Sequence, residues 1–301
     1  MTDADPDAPR PISSDWLTLR RPADEAARRA SLPLIAKLQA FLAGDSVPDG
    51  DLASDRGPAR TIRIFDLGAG TGANQAWLAP QLALPQSPLP LVSQHWTLID
   101  HDPDLLEHTA SAPAIDSVTG TEAVVAGIED LGRILGADTL ADGLRFVTCS
   151  ALLDLLTPAQ LDTLCAALAE TKTAALFSLS VTGIMDIHPA DPLDDSLNDT
   201  FNTHQNRGGR AGPRGVDLTA GILADAGFTV TTVETPWALT ADHAQLIERF
   251  LTDRAEAILE ENPALADDIG QWLARRSSQA GDGSLRVTIG HQDLLALPPR
   301  Q

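Results

Sequence analysis

A hydrophobic run that ends in an acid and then meets glycines at every second position constrains this chain more than any other stretch. It reads Ile62-Arg63-Ile64-Phe65-Asp66-Leu67-Gly68-Ala69-Gly70-Thr71-Gly72, with a helix opening near Ala73. Positions without a side chain let a backbone approach a flat, bulky ligand and take up positive φ angles. A turn at the carboxyl end of the first strand of an open α/β sheet sits where such sheets bind ligands. Gly68, Gly70 and Ala73 also fit the dinucleotide pattern G-x-G-x-x-G/A, so the glycines alone leave the ligand open.

From residue 61 onward, short apolar runs alternate with helical periodicity, which predicts βαβ units and a parallel sheet. Strands are expected at 62–66, 96–100, 123–127, 144–149, 174–181, 228–234 and 285–291. Thr157, Pro158 and Gln160 make an N-cap, a first helical position and a capping box for a helix between the fourth and fifth strands. Gly227 is placed to end another helix that begins near Val216, and helices are expected at 241–261 and 264–278. Upstream, residues 1–14 read as disordered, 22–42 as a helix and 44–60 as a surface linker. The chain therefore divides into a start with a helical cap or lid and linker (1–60) and a core (61–301), with a substrate-side insert at about 184–214.

Asp66 lies two positions before Gly68-x-Gly70-x-Gly72, and this resembles the first motif of the class I S-adenosylmethionine-dependent methyltransferases. The resemblance spans roughly residues 61–291 and is most specific over the first two strands. It implies a Rossmann-like, doubly wound seven-stranded α/β sheet, mostly parallel with the last strand antiparallel, and an N-terminal helical cap. It also implies S-adenosyl-L-methionine as cofactor, with Gly68, Gly70 and Gly72 beside its methionine part and Asp66 helping to hold its amino group. A dinucleotide turn has no need of Asp66, whose charge would face the pyrophosphate. The second strand ends in Asp100, which by the resemblance takes the ribose hydroxyls, with His101 against adenine or ribose. A helix-capping or solvent-facing acid is the competing reading of Asp100. Ile128 and Glu129 are the expected adenine contacts, with Asp130 or a plain surface turn as alternatives. Ser150 and Asp154 follow the fourth strand, where the family lines the space beneath the sulfonium; Asp154 as a mere cap or ion-pair partner stays open.

The acceptor side is read from the long polar stretch 185–213, since loops of that length inside a compact domain are usually functional or disordered. His204 is expected to contact or deprotonate the acceptor, with Asn202 and Gln205 orienting it and His188 nearby; a structural His204 is the alternative. Arg21 or Arg28 of the N-terminal segment could meet a carboxylate of cofactor or acceptor, or simply face solvent. The expected chemistry is in-line methyl transfer to an oxygen or nitrogen of a small molecule. A methyltransferase-like domain that binds the cofactor without turnover, and an NAD(P)-dependent oxidoreductase, are the rival readings.

Composition narrows the partners. A formal charge of −21 and a pI near 4.5 argue against a nucleic-acid substrate, which wants a basic surface. No run of about 18 apolar residues appears, so no membrane partner is expected. The acidic, proline-bearing start is not a secretory leader, and this places the chain in the cytoplasm as an expectation. Cys149 and Cys165 read as core residues, and no metal-ligand spacing or G-x-S-x-G elbow is present.

Overall fold

The computed structural model describes residues 13–44, 61–83, 93–111, 113–138 and 144–300. Nearly all of the expected disordered start and of the 44–60 linker therefore lies outside the described residues. The strands are β1 (Thr61–Leu67), β2 (Ser93–Asp100), β3 (Val118–Val125), β4 (Arg145–Ser150), β5 (Ala174–His188), β6 (Thr229–Glu234), β7 (Trp237–Leu239) and β8 (Arg286–Leu297). They form one sheet in the order β3-β2-β1-β4-β5-β8-β6, with β7 added on β8. β1 to β5 pair in parallel, whereas β8 runs antiparallel to β5, β6 and β7. The order β3-β2-β1-β4-β5 is that of doubly wound nucleotide-binding sheets. The departure from it is the antiparallel β8, which slots between β5 and β6.

The helices are α1 (Ser14–Arg28), α2 (Leu32–Ala43), α3 (Ala73–Leu82), α4 (Pro103–Glu107), α5 (Leu131–Ala137), α6 (Pro158–Thr171), α7 (Asp194–Gln205), α8 (Gly215–Asp225), α9 (Ala244–Glu261) and α10 (Ala266–Gly281). Among the described residues, no helix is long and apolar enough to cross a membrane. Two cores flank the sheet. On one face Leu131, Leu161, Leu164 and Leu223 of α5, α6 and α8 pack on Val147 and Phe177. On the other, Leu34 and Leu38 of α2 and Leu78 of α3 pack on Ile64, Trp96 and Leu176. A third cluster lies over the far ends of β5 and β8, where Ala23 of α1, Leu197 of α7, Leu251 of α9 and Trp272 of α10 meet Trp237 and Ile289.

Several expectations need correction. The sheet has eight strands rather than seven, because β7 is only three residues long and too short to show a period. β5 runs to His188, so the expected insert begins as strand, and its outer half pairs with β8 across two register shifts. β3 starts at Val118 and ends at Val125; as an exposed edge strand rich in Thr and Glu it lacks a clear apolar run. The expected helix 22–42 is two helices broken by a 3-10 turn at Arg29–Ser31. The first begins at Ser14, where the Ser13 hydroxyl accepts from the Trp16 N–H at 3.2 Å, so the order begins earlier than expected. The Thr157 capping box and the positive φ of Gly227 stand as expected.

The buried carboxylate of Asp293 fixes the irregular part of β5. It accepts from the Leu179 N–H at 2.7 Å, from the Thr235 hydroxyl at 2.8 Å and from the Ser31 hydroxyl. Leu179 holds φ +55°, a left-handed conformation that a side chain disfavours, at the register shift after Phe177. Asp293→Ala strips three donors of their acceptor and should lower stability by about 3 kcal/mol. Urea unfolding monitored by circular dichroism checks this, against Asp293→Asn as the milder change.

Candidate functional site

The glycine turn closes β1 as the motif demands, with Gly68, Gly70 and Gly72 at φ +60°, +53° and +81°. Asp100, at the end of β2, braces it from the side. One carboxylate oxygen accepts from the Gly70 N–H at 2.8 Å and the other from the Asp102 N–H at 3.0 Å. His101 stands in solvent with its Nδ1 at 3.2 Å from the Asp100 carboxylate. Asp102 caps α4 through the Asp104 N–H, with Pro103 in the first turn.

Asp66 is fully buried beneath the turn. Its Oδ1 accepts from Asn74 Nδ2 at 2.6 Å, and its Oδ2 has no partner among the described residues. Arg28, also buried, donates to Asn74 Oδ1 at 2.6 Å and stacks 4.0 Å over Trp77. Burial raises the Asp66 pKa to about 7, opposed by the Asn74 hydrogen bond and the charge of Arg28. These features fit a ligand with a cationic amino group and a diol. A left-handed backbone at three glycines leaves the turn without side chains, Asp66 Oδ2 is an unsatisfied acceptor, and Asp100 is a two-oxygen acceptor beside it. Leu152 lies 3.1 Å from where a Cβ on Gly68 would stand, and Leu17 of α1 lies 3.6 Å from one on Gly70. Those two leucines roof the turn.

Of the remaining residues expected near the cofactor, Ile128 is buried and belongs to the same core cluster as Leu131. Glu129 is exposed, with its carboxylate folded over Gly127. Ser150 ends β4 and is partly buried.

Next to the turn lies a cavity of about 440 Å³. Ala151 and Asp154, just after β4, and Leu179 and Val181, in the middle of β5, form part of its wall, and Trp16 and Arg20 of α1 close one side. Phe201, Asn202, His204 and Gln205 come from α7, Phe250 and Arg254 from α9, and Trp237 and His291 from β7 and β8. Ala151, like Leu179, is a non-glycine residue at φ +55°. Left-handed non-glycine residues are costly and cluster at functional sites. Asp154 Oδ1 is buried without a partner among the described residues, and desolvation raises its pKa to about 6 against a backbone hydrogen bond and the pull of Arg20 and Arg210. His204 Nε2 lies 2.9 Å from Glu260 Oε2, while its Nδ1 is buried and unpartnered. Facing a carboxylate, which only accepts, Nε2 is the donor of that pair. Asn202 donates to the Gly183 carbonyl at 2.9 Å. His291 rests 5.0 Å from the Trp237 ring centre; desolvation drops its pKa to about 3, so it is a neutral imidazole.

Two expected residues stay out of the cavity wall. His188 is exposed and faces Asp186 at 3.7 Å, because β5 carries it past the cavity to the far end of the strand. Arg21 points to solvent; Arg20, one position earlier, shares the cavity face of α1 with Trp16 and pairs with Asp24 at 2.8 Å. A helix turns about 100° per residue, so neighbours cannot both face inward. Sequence reasoning missed Trp237, Phe250, Arg254 and His291. The α9 pair fits a helical stripe that reads as ordinary core, and β7 carried no pattern at all.

The raised pKa of Asp66 has a consequence with a definite sign. The folded state holds the proton to a higher pH than the unfolded value of 3.8. Its contribution is therefore complete below that value and is lost as pH rises toward about 7. At full ionisation the loss is about 4 kcal/mol. Asp66→Asn should gain stability over the unsubstituted chain progressively between pH 4 and 7; a flat difference in thermal melts across that range would contradict this.

No family model matches the chain, and no curated protein matches it. Solved structures match it along most of its length. Loganic acid methyltransferase with SAH has 11% identity over 97% of this chain and 98% of its own, at a TM-score of 0.48. The YcgJ protein from Bacillus subtilis has 13% identity over 90% and 100%, at 0.46. The cyclopropane synthase MmaA2 from Mycobacterium tuberculosis has 14% identity over 95% and 94%, at 0.45. Likenesses this distant assign neither a family nor an activity.

Proposed function

We propose that the protein is an S-adenosylmethionine-dependent methyltransferase whose acceptor is a small molecule, methylated on oxygen or nitrogen in the cavity beside the glycine turn. One observation carries this reading. The segment after β4 touches Gly68 through Leu152 and lines the cavity through Ala151 and Asp154, so the two sites share a wall. A methyl group carried along that wall would meet an acceptor lying against Asp154. A cavity adjoining the turn also favours turnover over binding alone.

In this reading Asp66 Oδ2 and the Gly68–Gly72 backbone receive the amino-acid end of the cofactor, and Asp100 receives its ribose. When bound, the cofactor supplies a methyl group already activated on a sulfonium. The chain's own task is alignment and exclusion of water, worth several powers of ten when the geometry is held. Trp16 and Leu17 of α1 perform the closure, one over the cavity and one over Gly70. A neutral acceptor must also lose a proton. Asp154, with a pKa near 6, is matched to that work around neutrality, and His204, held by Glu260, is the second base within the cavity. His291, with a pKa near 3, is too weak a base, and its Nδ1 donates to the Ile289 carbonyl at 3.1 Å.

Calorimetric titration with S-adenosylmethionine, its demethylated product and NADH tests the reading. Both sulfur compounds should bind and NADH should not. Asp100→Ala should weaken the sulfur compounds at least tenfold, about 1.4 kcal/mol. Binding of NADH alone would overturn the proposal. Once an acceptor is found, Asp154→Asn should lower kcat by about 10²-fold and remove the acidic limb of its pH profile near 6. His204→Ala should slow methyl transfer or raise the acceptor KM; no change in either would remove His204 from the mechanism.

A further inference from the structure

Among the described residues three arginines are buried, Arg28, Arg254 and Arg276. Two of them lie among carboxylates. Arg276 pairs with Asp194, and Arg28 sits in the field of Asp293, Asp66 and Asp24. Arg254 differs. No described carboxylate pairs with it, its Nη2 donates to the neutral amide oxygen of Asn198 at 2.6 Å, and its Nε has no partner. Its guanidinium lies 3.6 Å over the Phe201 ring and 5.1 Å from that of Phe250, in the wall of the cavity. Desolvation alone lowers its pKa, to about 9, so it remains a cation at neutral pH. A buried cation without a counter-charge is a standing destabilisation unless something else supplies the anion.

We infer that Arg254 is the anion subsite of the cavity, and that the acceptor carries a carboxylate on an apolar, ring-bearing body. This rests on the methyl-transfer reading only in calling the occupant an acceptor. The guanidinium fork matches a planar carboxylate in two parallel hydrogen bonds. One unbalanced cation matches one negative charge. A phosphate dianion would bring a second negative charge that this single cation does not match. Phe201, Phe250, Trp16 and Trp237 supply flat apolar surface for the rest of the molecule.

Phenylacetate, phenylacetamide and phenyl phosphate, titrated against the full chain by calorimetry, separate the alternatives. Phenylacetate should bind at least tenfold more tightly than its neutral amide, and R254M should abolish that preference. R254M should also melt no lower than the unsubstituted protein in the absence of ligand, since an uncompensated charge leaves with it. Equal binding of phenylacetate and phenylacetamide, absence of binding by either, or a preference unchanged in R254M would overturn the subsite. Tighter binding of phenyl phosphate would overturn the carboxylate assignment. Should R254M fail to fold, the comparison of the charged and neutral probes on the unsubstituted chain decides alone. Titration with S-adenosylmethionine reads the cofactor site independently. Its failure alongside selective phenylacetate binding would remove the methyl-transfer reading and leave the anion subsite standing.

Discussion

The cavity depends on a single buried carboxylate. Asp293, on the one long antiparallel strand, accepts hydrogen bonds from β5, from Thr235 between β6 and β7, and from Ser31 between the first two helices. Holding the Leu179 N–H keeps that residue left-handed and sustains the register shift in β5. Beyond the shift the strand continues to His188 and, with β7 and β8, makes the platform on which α1, α7, α9 and α10 pack. Strain of this kind persists only where surrounding bonds over-determine it, and three donors to one carboxylate do so.

Buried ionisable groups are concentrated around the same region. Asp66, Arg28, Asp293, Arg254 and His291 are all nearly inaccessible. Each is expensive in a low dielectric unless partnered. Asp293 is fully partnered, Asp66 and Arg28 share Asn74 as a neutral intermediary, and Arg254 has only an amide. The degree of satisfaction thus falls from the frame of the site toward its interior. Partners withheld in the interior are the ones a ligand can supply. The overall charge of −21 says nothing about this, because a net charge sets the distant field while a cavity wall is governed by groups a few ångströms away.

α1 couples the two halves of the site. Trp16 and Leu17 are consecutive, yet one faces the cavity and the other the glycine turn. Further along, Asp24 pairs with Arg20 and accepts from the Trp237 indole at 3.0 Å, while Arg28 reaches the Asp66 network. A change in the position of this one helix alters both the roof of the turn and the wall of the cavity.

How much of this was legible depended on the reach of each signal. The sequence by itself determined the glycine turn and its acid, the alternation that makes a doubly wound sheet, the capping box at Thr157 and the stop at Gly227. All of these are written in windows of a few residues, where local sterics and hydrogen bonds dictate conformation. His204 was singled out from the polar stretch it sits in and Asp154 from the resemblance after the fourth strand, and the folded chain puts both in one cavity. Only the tertiary structure decided that β8 enters between β5 and β6, that β7 exists, that Arg20 rather than Arg21 faces inward, and that Arg254 has no carboxylate partner among the described residues. Those outcomes rest on partners far apart in the chain: Asp24 lies 213 residues from Trp237 and Leu179 lies 114 from Asp293. A residue's charge or shape is local, but whether it is buried, paired or left wanting a ligand is settled by whatever distant segment packs against it.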